Sequence, residues 1–209
     1  MKKRRTLIIS LLLVAAMAIG VGYAGLGTRE LTVSGGAKTN SSDPYLDVNF
    51  IDVTVDTGSS TATTTQSVNG NMATFSVTGM KKDDVVKFTY IVQNQHDEDT
   101  GAKLSSEAQN YTLISGTGEA AQTITAPTRD EFVMIEYKIY KATVVSGTDG
   151  NPDTYDVSTT EWNKTDDVLG HNAVLAVVVT VTQKVNPNDL LEITDYTLKL
   201  GFDAVYTVN

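Results

Sequence analysis

The chain has 209 residues, no cysteine, and 25 acidic against 16 basic residues, for a formal net charge of −9. Its length fits one domain of moderate size with a core of its own. The absence of cysteine excludes a disulfide framework, a lipoprotein thiol and a cysteine-based zinc site, and the acidic balance argues against a nucleic-acid partner, whose phosphates need Lys and Arg.

The chain opens on Lys2, Lys3, Arg4 and Arg5, runs almost wholly apolar from Leu7 to Val21, and then places small residues at Gly22 and Ala24. Basic flank, apolar run and small-residue site describe a secretory signal peptide over 1–24, cleaved between Ala24 and Gly25. Uncleaved, the 20 residues from Leu7 to Leu26 are long enough to span a bilayer, and this leader is the one expected membrane contact. Removing its four positive charges from the 16 basic residues leaves 12 against 25 acidic ones, a net of −13. An exported chain without disulfides points to a bacterial surface.

Thr28, Arg29, Glu30, Leu31, Thr32, Val33 and Ser34 form a short alternating stretch, with Gly25 and Gly27 before it and Gly35-Gly36 after it. These glycines predict a strand nearly free of the body, hinged over 25–37, ahead of a domain spanning 38–209.

Downstream, Leu46, Val48 and Phe50 share one parity and Ile51, Val53 and Val55 the other, which predicts a bulge or sheet crossing at Phe50-Ile51. Thr57 to Gln66 reads as an exposed loop or edge. Asn69-Gly70 signals a hairpin turn before Ala73, Phe75 and Val77. After a polar turn, Val86, Phe88, Tyr90 and Val92 predict one face of a strand over Val85–Asn94. Gln95 to Gly101 is an acidic loop, and Ala108 to Ile114 reads as another short strand. Val133, Ile135, Tyr137 and Ile139 alternate within the long run from Phe132 to Val145. Ser146 to Asp156 reads as an insertion loop. The AVLAVVVTVT run within 168–183 fits a central strand buried on both faces. Tyr196, Leu198, Leu200, Phe202, Ala204, Tyr206 and Val208 close the chain at period two. Eight to ten strands follow, in an all-β antiparallel sandwich, jelly-roll-like, after an N-terminal signal helix. Short helices within Lys103–Gln109 or Asp189–Ile193 stay open.

Three stretches together resemble the TasA/camelysin family of exported matrix-fibre proteins. They are the leader's end AIGVGYAGLGTRELTVSGGA, the segment VTGMKKDDVVKFTYIVQNQHDEDTGAKLS (Val77 to Ser105), and the closing GFDAVYTVN (Gly201 to Asn209). Asp83-Asp84 stands where the family usually has Gly-Asp. The resemblance covers both ends and one internal hairpin. It implies a jelly roll that builds fibres by donor-strand exchange, the N-terminal strand of one subunit filling a groove in the next. Such a chain would be a secreted, homo-oligomeric structural subunit of a biofilm matrix, with other matrix components as further partners.

Signals for chemistry are weaker. His96 and His171 are the only histidines and neither lies in a His-Glu-x-x-His pattern, so a catalytic zinc is poorly supplied and both read as solvated loop residues. No Gly-x-Ser-x-Gly occurs. Asp149, Asn151, Asp153 and Asp156 imitate the first ligands of a calcium loop. Thr154 stands where its glycine belongs and Thr160 where its glutamate belongs, so a solvated turn is the plainer reading. The expectation is a non-enzymatic fibre subunit with no cofactor beyond this calcium candidate. The alternatives are an exported camelysin-type metalloprotease and a monomeric cell-surface binding module.

Overall fold

The computed structural model describes residues 31–41, 46–58, 62–96, 101–116, 121–124, 128–145, 154–185 and 196–209. The signal segment 1–24, its cleavage site, Thr28 to Glu30 and the 189–193 helix option lie outside them.

Among these residues eleven strands form two sheets. The first holds β3 (Thr63–Asn69), β4 (Met72–Met80), β1 (Leu31–Ser41), β11 (Tyr196–Val208), β6 (Ala102–Ser115) and β7 (Gln122–Ile124), neighbours in that order. The second holds β2 (Val48–Asp56), β5 (Val85–Asn94), β10 (Val174–Gln183), β8 (Val133–Val145) and β9 (Thr154–Glu161). One short helix, α1 (Thr128–Phe132), leads into β8.

Period-two alternation explains which faces meet. Val86, Phe88, Tyr90 and Val92 of β5 are buried with Val177, Val179 and Val181 of β10 and with Tyr196, Leu198, Phe202 and Tyr206 of β11. Aromatic contacts cross between the sheets: the Phe75 and Phe88 ring centroids lie 3.7 Å apart, and Tyr137 stacks on Phe202 at 5.9 Å. β10, third of five, buries both faces, because Val174, Ala176 and Val178 gather with Ile91 in a second apolar cluster on the sheet's other side. The bulge expected at Phe50-Ile51 appears as a register shift between Phe50 and Asp52 opposite Ile91. Gly70, at φ 56°, supplies the left-handed position of the β3–β4 turn.

Several expectations change. Lys103–Gln109 is no helix: β6 is extended throughout, and after a bulge at Ser105 it places Glu107, Gln109, Tyr111 and Leu113 opposite Ala204, Phe202, Leu200 and Leu198. Pairing with β11 overrides any local helical tendency. The end of the insertion loop, Thr154 to Asp156, already belongs to β9.

The largest change concerns the leading strand. It is not free of the body but occupies the middle of the first sheet, and its hinge glycines are interior to it. The sheet therefore takes in Leu31 to Ala37 as well, ahead of the boundary at 38. β1 runs parallel to β11 in an otherwise antiparallel arrangement among the described pairings.

Candidate functional site: the leading strand and its slot

Leu31 and Val33 carry the two large apolar side chains of β1, and both point into the core, 2% and 0% exposed. Ala37 and Thr39 continue that inward face. On one side β1 pairs with β11 from Leu31↔Tyr196 to Ser41↔Tyr206. On the other it pairs with β4, from Val33↔Val77 to Lys38↔Met72, after a register shift between Leu31 and Val33.

Glycine makes the fit. A Cβ on Gly35 would lie 2.4 Å from the Leu200 carbonyl oxygen and 2.8 Å from the Leu200 Cβ. A Cβ on Gly36 would meet the Ala73 oxygen at 3.0 Å. The glycines thus let neighbouring backbones close in, a role available to a strand interior. At the far end Thr39 Oγ1 donates to the Val48 oxygen at 2.6 Å, and Thr39 N donates to the Asn71 oxygen at 2.9 Å. Asn71 Nδ2 donates back to the Thr39 oxygen at 3.1 Å.

Energetically, burying Leu31 and Val33 contributes about 1.5–3 kcal/mol each. Backbone pairing on both edges adds about 0.5–1.5 kcal/mol per hydrogen bond. Withdrawing β1 would leave a slot one strand wide, with unpaired edges on β4 and β11 and the core beneath. A second β1 of the same sequence would meet the same side chains and backbone groups in that slot, in the same register.

Other candidate residues lie elsewhere. Asp149, Asn151 and Asp153 fall outside the described residues, while Asp156 sits exposed on β9. His96 follows β5 and His171 precedes β10. The backbone N–H of His96 donates to Asn94 Oδ1 at 3.3 Å, and the His171 ring lies 2.6 Å from Asn172 Nδ2. Buried Asn94 ties these two turns together: its N donates to the Ala173 oxygen and its oxygen accepts from Asn172 N. Among the described residues no group of three His, Asp or Glu side chains could hold a metal ion.

The chain matches no family model and no curated protein.

Sequence reasoning finds Leu31 and Val33 but misses what they touch. The slot walls, β4 and β11, lie about 40 and about 165 positions away along the chain. Only the inward parity of Phe75, Val77, Leu198 and Leu200 hints at them.

Proposed function

We propose that this protein is a secreted structural subunit, jelly-roll-like, that assembles into extracellular fibres when β1 of one subunit fills the slot of the next. The observation that carries this reading is the place of β1: first among the described strands, yet central in its sheet. Cleavage after Ala24 would leave only six residues ahead of Leu31, placing the strand near the start of the mature chain. Its pairing with β11 also closes almost the full chain length, and contacts between distant residues tend to form late. A strand that docks late is open to capture by a neighbour. The bacterial surface matrix is the setting that the leader and the cysteine-free composition favour, and no nucleic-acid partner is expected there.

A cross-link tests it. Ser34 of β1 lies opposite Ser76 of β4 in an antiparallel pair, on the side of the sheet away from Val33 and Val77. Side chains so placed have Cβ atoms about 4.5–5.5 Å apart, close to disulfide reach. The native chain has no cysteine to compete. Ser34→Cys with Ser76→Cys should stay monomeric when oxidised and form fibres at the parental rate when reduced. Parental fibre growth by the oxidised protein would overturn the reading.

The self-docked strand also favours a second reading, a monomeric cell-surface binding module. Failure of the reduced protein and the parent to polymerise at any concentration would select it.

A further inference from the structure

Among the described residues β7 covers β6 only at Leu113 to Ser115, and between there and the Ala102–Leu169 bridge the outer side of β6 is a sheet edge. Its inward positions there are polar, Glu107 and Gln109, opposite Ala204 and Phe202 of β11. Across the gap between the sheets β8 presents Tyr137, whose ring stacks on Phe202 with an interplanar angle of 18°. The segment from Trp162 to Leu169 straps this flank. Trp162 N donates to the Ile139 oxygen at 2.7 Å, and Leu169 and Ala102 exchange two backbone hydrogen bonds of 2.8 Å. Asp167 fixes the strap by accepting from Asn163 N at 2.7 Å and from Lys141 Nζ at 2.7 Å.

Beneath the strap lies a partly open cleft of about 210 Å3. Three of the residues that line it each carry a buried side-chain atom with no hydrogen-bond partner among the described residues: Glu107 Oε2, Tyr137 Oη and Trp162 Nε1. Trp162 itself is only 8% exposed. Native folds rarely leave such atoms unanswered, and here the three belong to residues lining one cleft. The charges around them are already matched. Lys164 pairs with Glu107 through Oε1, and Lys138 pairs with Glu161 at 3.4 Å.

We infer that this cleft binds a neutral polyhydroxyl ring, a single sugar unit. Glu107 Oε2 requires a donor, the Trp162 indole N–H requires an acceptor, and the Tyr137 hydroxyl can answer either. Adjacent ring hydroxyls offer both from neighbouring atoms, and the half-buried Tyr137 ring, backed by Phe202, gives the sugar's apolar face a surface to pack on. A phosphate or a sugar acid would bring negative charge beside Glu107 and meet no spare cation among the described lining residues. The site belongs to each subunit and stands whether or not β1 exchanges.

Trp162 is the only tryptophan in the chain, so its emission reports on this cleft alone. The full chain is titrated with glucose, galactose and N-acetylglucosamine, with glucose 6-phosphate as the charged control. At least one neutral sugar should change the emission saturably at millimolar concentration, and the phosphate should not. Tyr137→Phe and Glu107→Gln should each weaken that binding by about tenfold, one lost hydrogen bond. No response to any neutral sugar, equal binding of the phosphate, or parental affinity in both variants would overturn the proposal. Should a variant fail to fold, crystals of the parent soaked in the same sugar decide: hydroxyls on Glu107 Oε2 and Trp162 Nε1 support the site, and water alone there overturns it.

Discussion

At Gly35 the sheet leaves no room for even a methyl group, because the atom it would strike is a backbone oxygen of the neighbouring strand. Gly35→Ala should therefore destabilise the fold by about 1–3 kcal/mol, the usual cost of overpacking. A methyl group on Gly170 would meet nothing within 4 Å, so Gly170→Ala should leave thermal unfolding nearly unchanged. Equal melting points for the two variants would show that β1 and β11 do not approach as described. A second residue-scale effect comes from buried tyrosines. Burial pushes the Tyr137 hydroxyl up to about 12, with Tyr111 nearby adding to the shift. Burial holds Tyr90 and Tyr206 higher still, with smaller contributions from Tyr137 and Glu107 respectively. Unfolded tyrosine releases its proton near pH 10 while the native chain keeps it, so this stability is complete below pH 10. It is lost as pH rises from 10 towards 12, at about 1.4 kcal/mol per pH unit for each such tyrosine. Urea unfolding across that window should show the decline, and Tyr137→Phe should lessen its slope by one proton. An unchanged slope would mean that Tyr137 ionises in the native state.

At the scale of single elements, β5 tests the core and β1 tests the sheet. Phe88 is fully buried and packed on Phe75, so Phe88→Ala should cost about 3–5 kcal/mol in denaturant unfolding. The central placing of β1 makes its loss more severe than that of an edge strand. A chain beginning at Ser42 should fail to fold alone, and a peptide of the Leu31–Ser41 sequence, added in excess, should restore its cooperative melting. A truncated chain that melts as the parent does would remove β1 from the sheet. These two strands also show how much the sequence discloses. β5, β10 and the inward face of β11 are legible because period-two alternation, or a continuous apolar run, follows directly from burial on one face or two. Leu31 and Val33 are recognisable as strand residues, but Gly35-Gly36 reads wrongly as a hinge. A glycine needed for close approach and one needed for freedom look alike until the neighbouring backbone is seen. The start of β9 reads as loop because only Tyr155 and Val157 of that strand are even half-buried. The flank cleft is unreadable for a further reason: Glu107, Tyr137 and Trp162 come from three separate segments, and Lys103–Gln109 allows a helix that would turn Glu107 elsewhere.

Across the whole molecule, if subunits exchange β1 as proposed, net charge and the apolar slot make opposite demands on fibre growth, and salt separates them. Every subunit is negative, −9 for the full chain, so approaching copies repel. The repulsion acts over about 30 Å at 0.01 M salt and about 3 Å at 1 M. Encounter should accordingly speed up as sodium chloride rises through that range. Release of β1 from its own slot is governed instead by Leu31, Val33 and backbone pairing, which screening hardly touches. At low protein concentration growth is then limited by encounter, and its rate should rise with both protein and salt. At high concentration it should level off at the rate of β1 release, and this plateau should change little with salt. Light scattering from seeded growth, at several protein concentrations and two ionic strengths, measures both regimes. Growth that slows in salt, or never levels off, would show that subunits join through a charged surface rather than through the exchanged strand.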